Sequence, residues 1–251
     1  MSATRPAAPP GGRPRLMLPA LREVYEAYVR AAGELPGLPD ALRAEVWTSA
    51  QLGTLEAAAP NAAARRAALA DLITVLGSAG TPGARLFLRA LAAVGPAEAR
   101  PAAARAARRA PRTPEGGEPP WARRLGRVAP GQVWLIQEGP LDGDRLVCEF
   151  RYTFDGSGLH ALAVRLGYGD VPSEVVVVGD VPALMAAARR AMQAELCVVQ
   201  PHDPAAVGAR LRAALADADR LAPECYPALA LARHRAALLA GETPPRNRTA
   251  E

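Results

Sequence analysis

The chain contains no lysine: all 30 of its basic Lys-plus-Arg residues are arginine. That absence removes whole classes of chemistry. A P-loop needs a lysine to reach the nucleotide phosphates. Pyridoxal enzymes and Schiff-base aldolases need one as nucleophile, and protein kinases and Ser-x-x-Lys hydrolases need one too. Cysteine is scarce. Cys148, Cys197 and Cys225 are an odd number without motif spacing, which argues against a disulfide framework and for a reducing, cytoplasmic location. The three histidines, His160, His202 and His234, have no metal-ligand spacing among themselves or with the cysteines. No run of 18 apolar residues is present, and the opening MSATRPAAPPGGRPR lacks the apolar stretch of a secretory signal. Neither a membrane partner nor a metal is expected.

Glycine patterns exclude more. Gly167-Tyr168-Gly169 has Pro172 where the third glycine of a dinucleotide fingerprint would stand, and it does not open a helix. Gly156-Ser157-Gly158 is not the Gly-x-Ser-x-Gly of a nucleophile elbow. It reads as a hairpin turn. No cofactor is therefore expected, and no nucleotide held by a P-loop or Rossmann motif.

What is present is alanine, arginine and proline in excess, with 25 prolines and a hydrophobic share of 50%. GC-rich codons account for the bias, and the aliphatic content suffices for a real core. Residues 1–15 read as a disordered Pro/Gly tail. Residues 16–95 read as a bundle of four helices. The first carries Leu18, Leu21, Val24, Tyr25, Tyr28, Val29 and Ala32 at helical spacing. Asp40, Asn61 and Thr81 are N-caps for the next three, with Pro82 at the first helical position and Gly77 and Gly95 as stops. Residues 96–120, with six prolines, read as a basic linker that allows a short helix at Ala102–Ala110. Residues 242–251 read as a second disordered tail.

From Trp121 to 241 the pattern is α+β: an antiparallel meander of three to four strands, with C-terminal helices on one face. The strands are Gln132–Glu138, Arg145–Phe154, Leu159–Tyr168 and Glu174–Val178, the last covered on both faces or inserted centrally. A turn at Pro140-Leu141-Asp142-Gly143 joins the first pair. A three-residue turn with Gly158 in the left-handed region would pair Phe154 with His160, Tyr152 with Leu162, Phe150 with Val164 and Glu149 with Arg165. Cys197-Val198-Val199 suits an edge strand. Asp180 and Asp203 cap two further helices, and Tyr226–Ala240 is the last.

The stretch PPWARRLGRV (119–128), the hairpin from Cys148 to His160-Ala161-Leu162, DPAAVGARLRAAL (203–215) and LRAEVWTSAQLG (42–53) together resemble a set of uncharacterised actinobacterial proteins. The resemblance implies one recurrent architecture over 18–240, and no activity.

Two groups of residues are candidate sites. Arg100, Arg105, Arg108, Arg109, Arg112, Arg123, Arg124 and Arg127 face only Glu115 and Glu118. Such a basic segment can neutralise phosphates and bind nucleic acid. Alternatively, it is a solvated linker. For an enzyme, the place to look is a pocket between the sheet and the C-terminal helices, with Glu138, His160 and Cys225 as candidates. His160 also suits a structural, hydrogen-bonded role.

The expected role is that of a non-enzymatic cytosolic interaction or regulatory protein, with a protein partner or self-association. Two features support it: an oily meander face already filled, and an opposite face that looks exposed through Val147, Arg151, Ala161 and Ala163. The alternatives are nucleic-acid association through 100–127 and an enzyme with an unrecognised site.

Overall fold

The computed structural model describes residues 19–111, 118–139, 143–154 and 156–241. The expected tails, Arg112 and the turn at 140–142 lie outside the described residues. The chain is α+β. Helices α1 (Pro19–Ala31), α2 (Ala41–Ala58), α3 (Ala62–Ser78), α4 (Pro82–Val94) and α5 (Arg100–Arg109) come first. Strands β1 (Val128–Gln137), β2 (Asp144–Tyr152), β3 (His160–Leu166) and β4 (Pro172–Val178) follow. Then come α6 (Val181–Gln193), β5 (Val198–Pro201), α7 (Pro204–Ala214) and α8 (Tyr226–Leu239).

Local chemistry sets the helix starts. Asp40, Asn61, Thr81, Asp180 and Asp203 each accept a hydrogen bond from the backbone N–H three residues on, satisfying a donor the helix leaves open. Within the stretch read as a linker, α5 packs Ala103 and Ala107 against α3 and α4. Alanine-only contacts allow that close approach, and the arginines stay outside.

The five strands lie in the order β4-β3-β2-β1-β5, all neighbours antiparallel. One face carries Val133, Leu135, Leu146, Cys148, Phe150, Leu162, Val164 and Val175. It belongs to one core that runs without a break from Tyr25 in α1 to Leu239 in α8. Elements from the two ends of that core meet directly, as α2 lies against α8. The Leu231 N–H donates to Ser49 Oγ at 3.2 Å, and Arg233 pairs with Glu56 at 2.8 Å. Contact here depends on Gly53. A Cβ at that position would stand 2.2 Å from the Tyr226 carbonyl oxygen. Gly53→Ala should therefore force α2 and α8 apart and cost about 1–3 kcal/mol in the range of overpacked cores, read as a lower urea midpoint.

Three expectations about the sheet need correction. Helices cover both faces: the chain leaves β4 at one edge and returns as β5 at the other, so α6 crosses between them. It lays Val181, Met185 and Ala188 over Ile136, Val147, Ala161 and Ala163. Val147 and Ala161 are fully buried, and of the four residues read as outward only Arg151 is exposed. Second, the four-valine strand β4 is an edge, with Val176 39% exposed.

Third, the β2–β3 register is Phe150 opposite His160, Cys148 opposite Leu162 and Leu146 opposite Val164. This is four residues from the expected pairing. The β2–β3 ladder ends at Phe150–His160, and beyond it the chain turns on itself: Tyr152 N–H donates to the Ser157 carbonyl at 3.1 Å and Gly156 N–H to the Tyr152 carbonyl at 3.0 Å. The connection is then a wide loop, with Gly156 and Gly158 at φ +67° and +64°. An even shift keeps the same residues facing the core. It also expels Phe154, which is 58% exposed.

Candidate functional site

The oily side of the meander holds what the sequence reading did not anticipate. Glu45 of α2, His160 at the start of β3, and His234 and Arg235 of α8 are all buried, none more than 2% exposed. Arg235 is the centre. Its Nη2 donates to Glu45 Oε2 and, at 3.3 Å, to His160 Nε2, while its Nη1 donates to His234 Nδ1 at 2.8 Å. Its guanidinium also lies over the Phe150 ring, 5.4 Å from the centroid. Carboxylate and guanidinium cancel, so the cluster is neutral as long as both histidines are.

Each histidine's protonation follows from its partners. His160 Nδ1 lies 2.8 Å from the Gly158 carbonyl. A carbonyl only accepts, so that nitrogen carries the proton and Nε2 is left to accept from Arg235. Burial, reinforced by the Arg235 charge, lowers the His160 pKa to about 4. Burial and then Arg235 and Arg100 push His234 well below its ordinary value. Tyr152 Oη, Thr48 Oγ1 and Arg235 Nε are buried without a hydrogen-bond partner among the described residues. Burial, and next the Glu45 charge, raises the Tyr152 pKa.

The cluster reaches the surface only through what it holds. The other Glu45 oxygen, Oε1, accepts from the Gly126 N–H at 2.7 Å, and His160 fixes the Gly158 carbonyl. The first bond pins the segment Pro120–Arg127, and the second pins the β2–β3 loop. Those two pieces are also tied to each other, since Thr153 N–H and Oγ1 both donate to the Arg127 carbonyl, at 2.9 and 3.2 Å. Phe154 stands on this base with the Arg123 guanidinium 5.3 Å from its ring centroid, and Arg124 donates to Ser157 Oγ at 3.3 Å.

The predicted site residues are scattered. Arg123 and Arg127 are exposed and Arg124 half-buried in the pinned segment. Arg105, Arg108 and Arg109 are exposed on α5, and Arg100 Nε caps the Gly95 carbonyl at 2.7 Å. Glu138, His160 and Cys225 do not meet. Glu138 follows β1 and pairs with Arg145 and Arg165 at 3.0 and 2.8 Å, in a cleft with Gln137, Met192, Leu196 and Val198. His160 lies at the opposite end of β3, six residues from Leu166, or about 20 Å at strand rise. Cys225 is buried beneath β4, its sulfur 3.7 Å from the Pro172 carbonyl, and burial raises its pKa, as burial pushes Cys148 up to about 12. Neither thiol is therefore set up as a thiolate. Among the described residues no three of His, Cys, Asp and Glu gather as a metal would require, and no helix is long and apolar enough to cross a membrane.

Glu45 and Arg235 were missed, although the sequence carried a signal for both. Glu45 falls on the helix stripe of Ala41, Ala44, Thr48 and Leu52, and Arg235 between Leu231, Ala232 and Leu239. A charge inside an apolar stripe asks for a partner. No protein-family model, no curated protein and no solved structure matches the chain.

Proposed function

We propose that the chain is a non-enzymatic interaction protein of the cytoplasm that associates with a second copy of itself through the β5 edge of its sheet. The observation that carries this reading is the apolar rim beside that edge: Met192, Leu196 and Val198 are 41%, 68% and 54% exposed. They stand where α6 ends and β5 begins, and β5 is the last strand on its side. An isologous contact sets the same patch of each copy against itself. Antiparallel pairing of two β5 edges would occupy open backbone groups and bring the apolar rims together. Pro201 closes the strand, which limits the edge to a short, defined register.

The enzyme alternative draws less support. The polar groups that do converge, around Arg235, are buried away from solvent, and Glu138, His160 and Cys225 sit apart. Sedimentation velocity at micromolar concentration tests the proposal. A dimer is expected, and Val198→Glu should weaken it by about tenfold or more while leaving the circular dichroism unchanged. A monomer throughout the micromolar range would remove this reading.

A further inference from the structure

The pinned surface above the buried cluster combines features that the dimer does not use. Phe154 is a large aromatic held in solvent at 58% exposure, on a loop fastened from below by His160 and from the side by Arg127. Arg123 lies against its ring, and Arg124 and Arg127 follow on the neighbouring segment. Arg151 is exposed but stands in the Val147–Glu149 row of β2, on the α6 face of the sheet, and is not part of this surface. The nearest carboxylate on that strand, Glu149, accepts from Trp134 Nε1 at 3.3 Å. Asp155, next to Phe154 in sequence, lies outside the described residues.

We propose that this surface binds single-stranded nucleic acid, with Phe154 as the stacking surface for a base and Arg123, Arg124 and Arg127 as the track for the phosphates. Charge complementarity selects a polyanion. The exposed ring selects one whose bases are free to stack, which a duplex does not offer without unpairing. Preorganisation argues for use: an apolar ring on a loose loop would cost ordering entropy on binding, whereas here Glu45 already holds the Gly126 N–H and His160 the Gly158 carbonyl. The arginines of α5 are not needed for this contact.

Fluorescence anisotropy with the full chain and a labelled oligo-dT strand at low salt is the test, with a duplex of equal length and polyglutamate as comparisons. The single strand should bind tightest. Phe154→Ala should weaken it by about tenfold, the scale of one lost base stack, and Phe154→Trp should retain it. Arg123→Gln with Arg127→Gln should reduce the slope of log affinity on log salt by about 1.4, or 0.7 for each phosphate contact. Phe154 is exposed, so thermal midpoints should not move, and the Val198→Glu chain should bind equally well. No binding at low salt overturns the proposal. So does equal binding of strand and duplex that ignores Phe154→Ala, or polyglutamate binding as tightly as the strand.

Discussion

Replacing Glu45 by glutamine is expected to destabilise the fold by about 3–5 kcal/mol, the usual cost of leaving one member of a buried ion pair uncompensated. Arg235 is 1% exposed and has no other carboxylate partner among the described residues, so its charge would remain in the core alone. Arg235→Met should cost a similar amount for the mirror reason, since Glu45 is fully buried. The double variant Glu45→Gln, Arg235→Met should recover much of the loss, because it leaves no uncompensated charge in the core while the Gln oxygen can still accept from the Gly126 N–H. Urea midpoints for the three chains give the coupling directly. Single losses below about 1 kcal/mol would mean that water or a shifted side chain already compensates the pair.

The second large effect is acid sensitivity. His160 releases its proton near about 4 in the folded chain, against about 6.5 when unfolded. Between those values the unfolded state holds more protons, so stability rises with pH and is lost as pH falls through this window. Over the whole interval the loss from His160 alone is about 3 kcal/mol, and His234 acts in the same direction. The cause is visible in the geometry: a proton on His160 Nε2 would stand against Arg235 Nη2, cation to cation, in a buried site. His160→Asn can still donate to the Gly158 carbonyl but does not titrate. Its urea midpoint should therefore fall less than the parent's between pH 7 and pH 5. Parallel midpoints for the two chains would show that the histidine is charged or solvated in the fold.

Much of the architecture was legible because it is written locally. Each capping side chain lies three residues from the amide it serves, so Asp40, Asn61, Thr81, Asp180 and Asp203 announced five helices without reference to anything distant. Strand alternation likewise told which residues share a face. What failed was non-local. The β2–β3 loop is held from outside by the Arg127 carbonyl, 26 residues away in sequence, which accepts from both the N–H and the Oγ1 of Thr153. The covering of Val147, Ala161 and Ala163 depended on where α6 crosses, and small residues suit a tightly packed helix as well as a solvated face. Glu138, His160 and Cys225 looked equivalent as titratable groups near strands. Only the sheet order reveals that they occupy different ends and edges.

The cluster also fixes an order of events during synthesis. Glu45 and Arg235 are 190 residues apart. A chain emerging amino end first exposes the acid long before its cation exists. Until α8 leaves the ribosome, α2 lacks the helix that covers it, and the nascent bundle must wait with a carboxylate in its unfinished seam. Closing so large a loop is entropically unfavourable and slow. Emergence of α8, rather than completion of the first helices, should mark the moment when this protein becomes resistant to proteolysis.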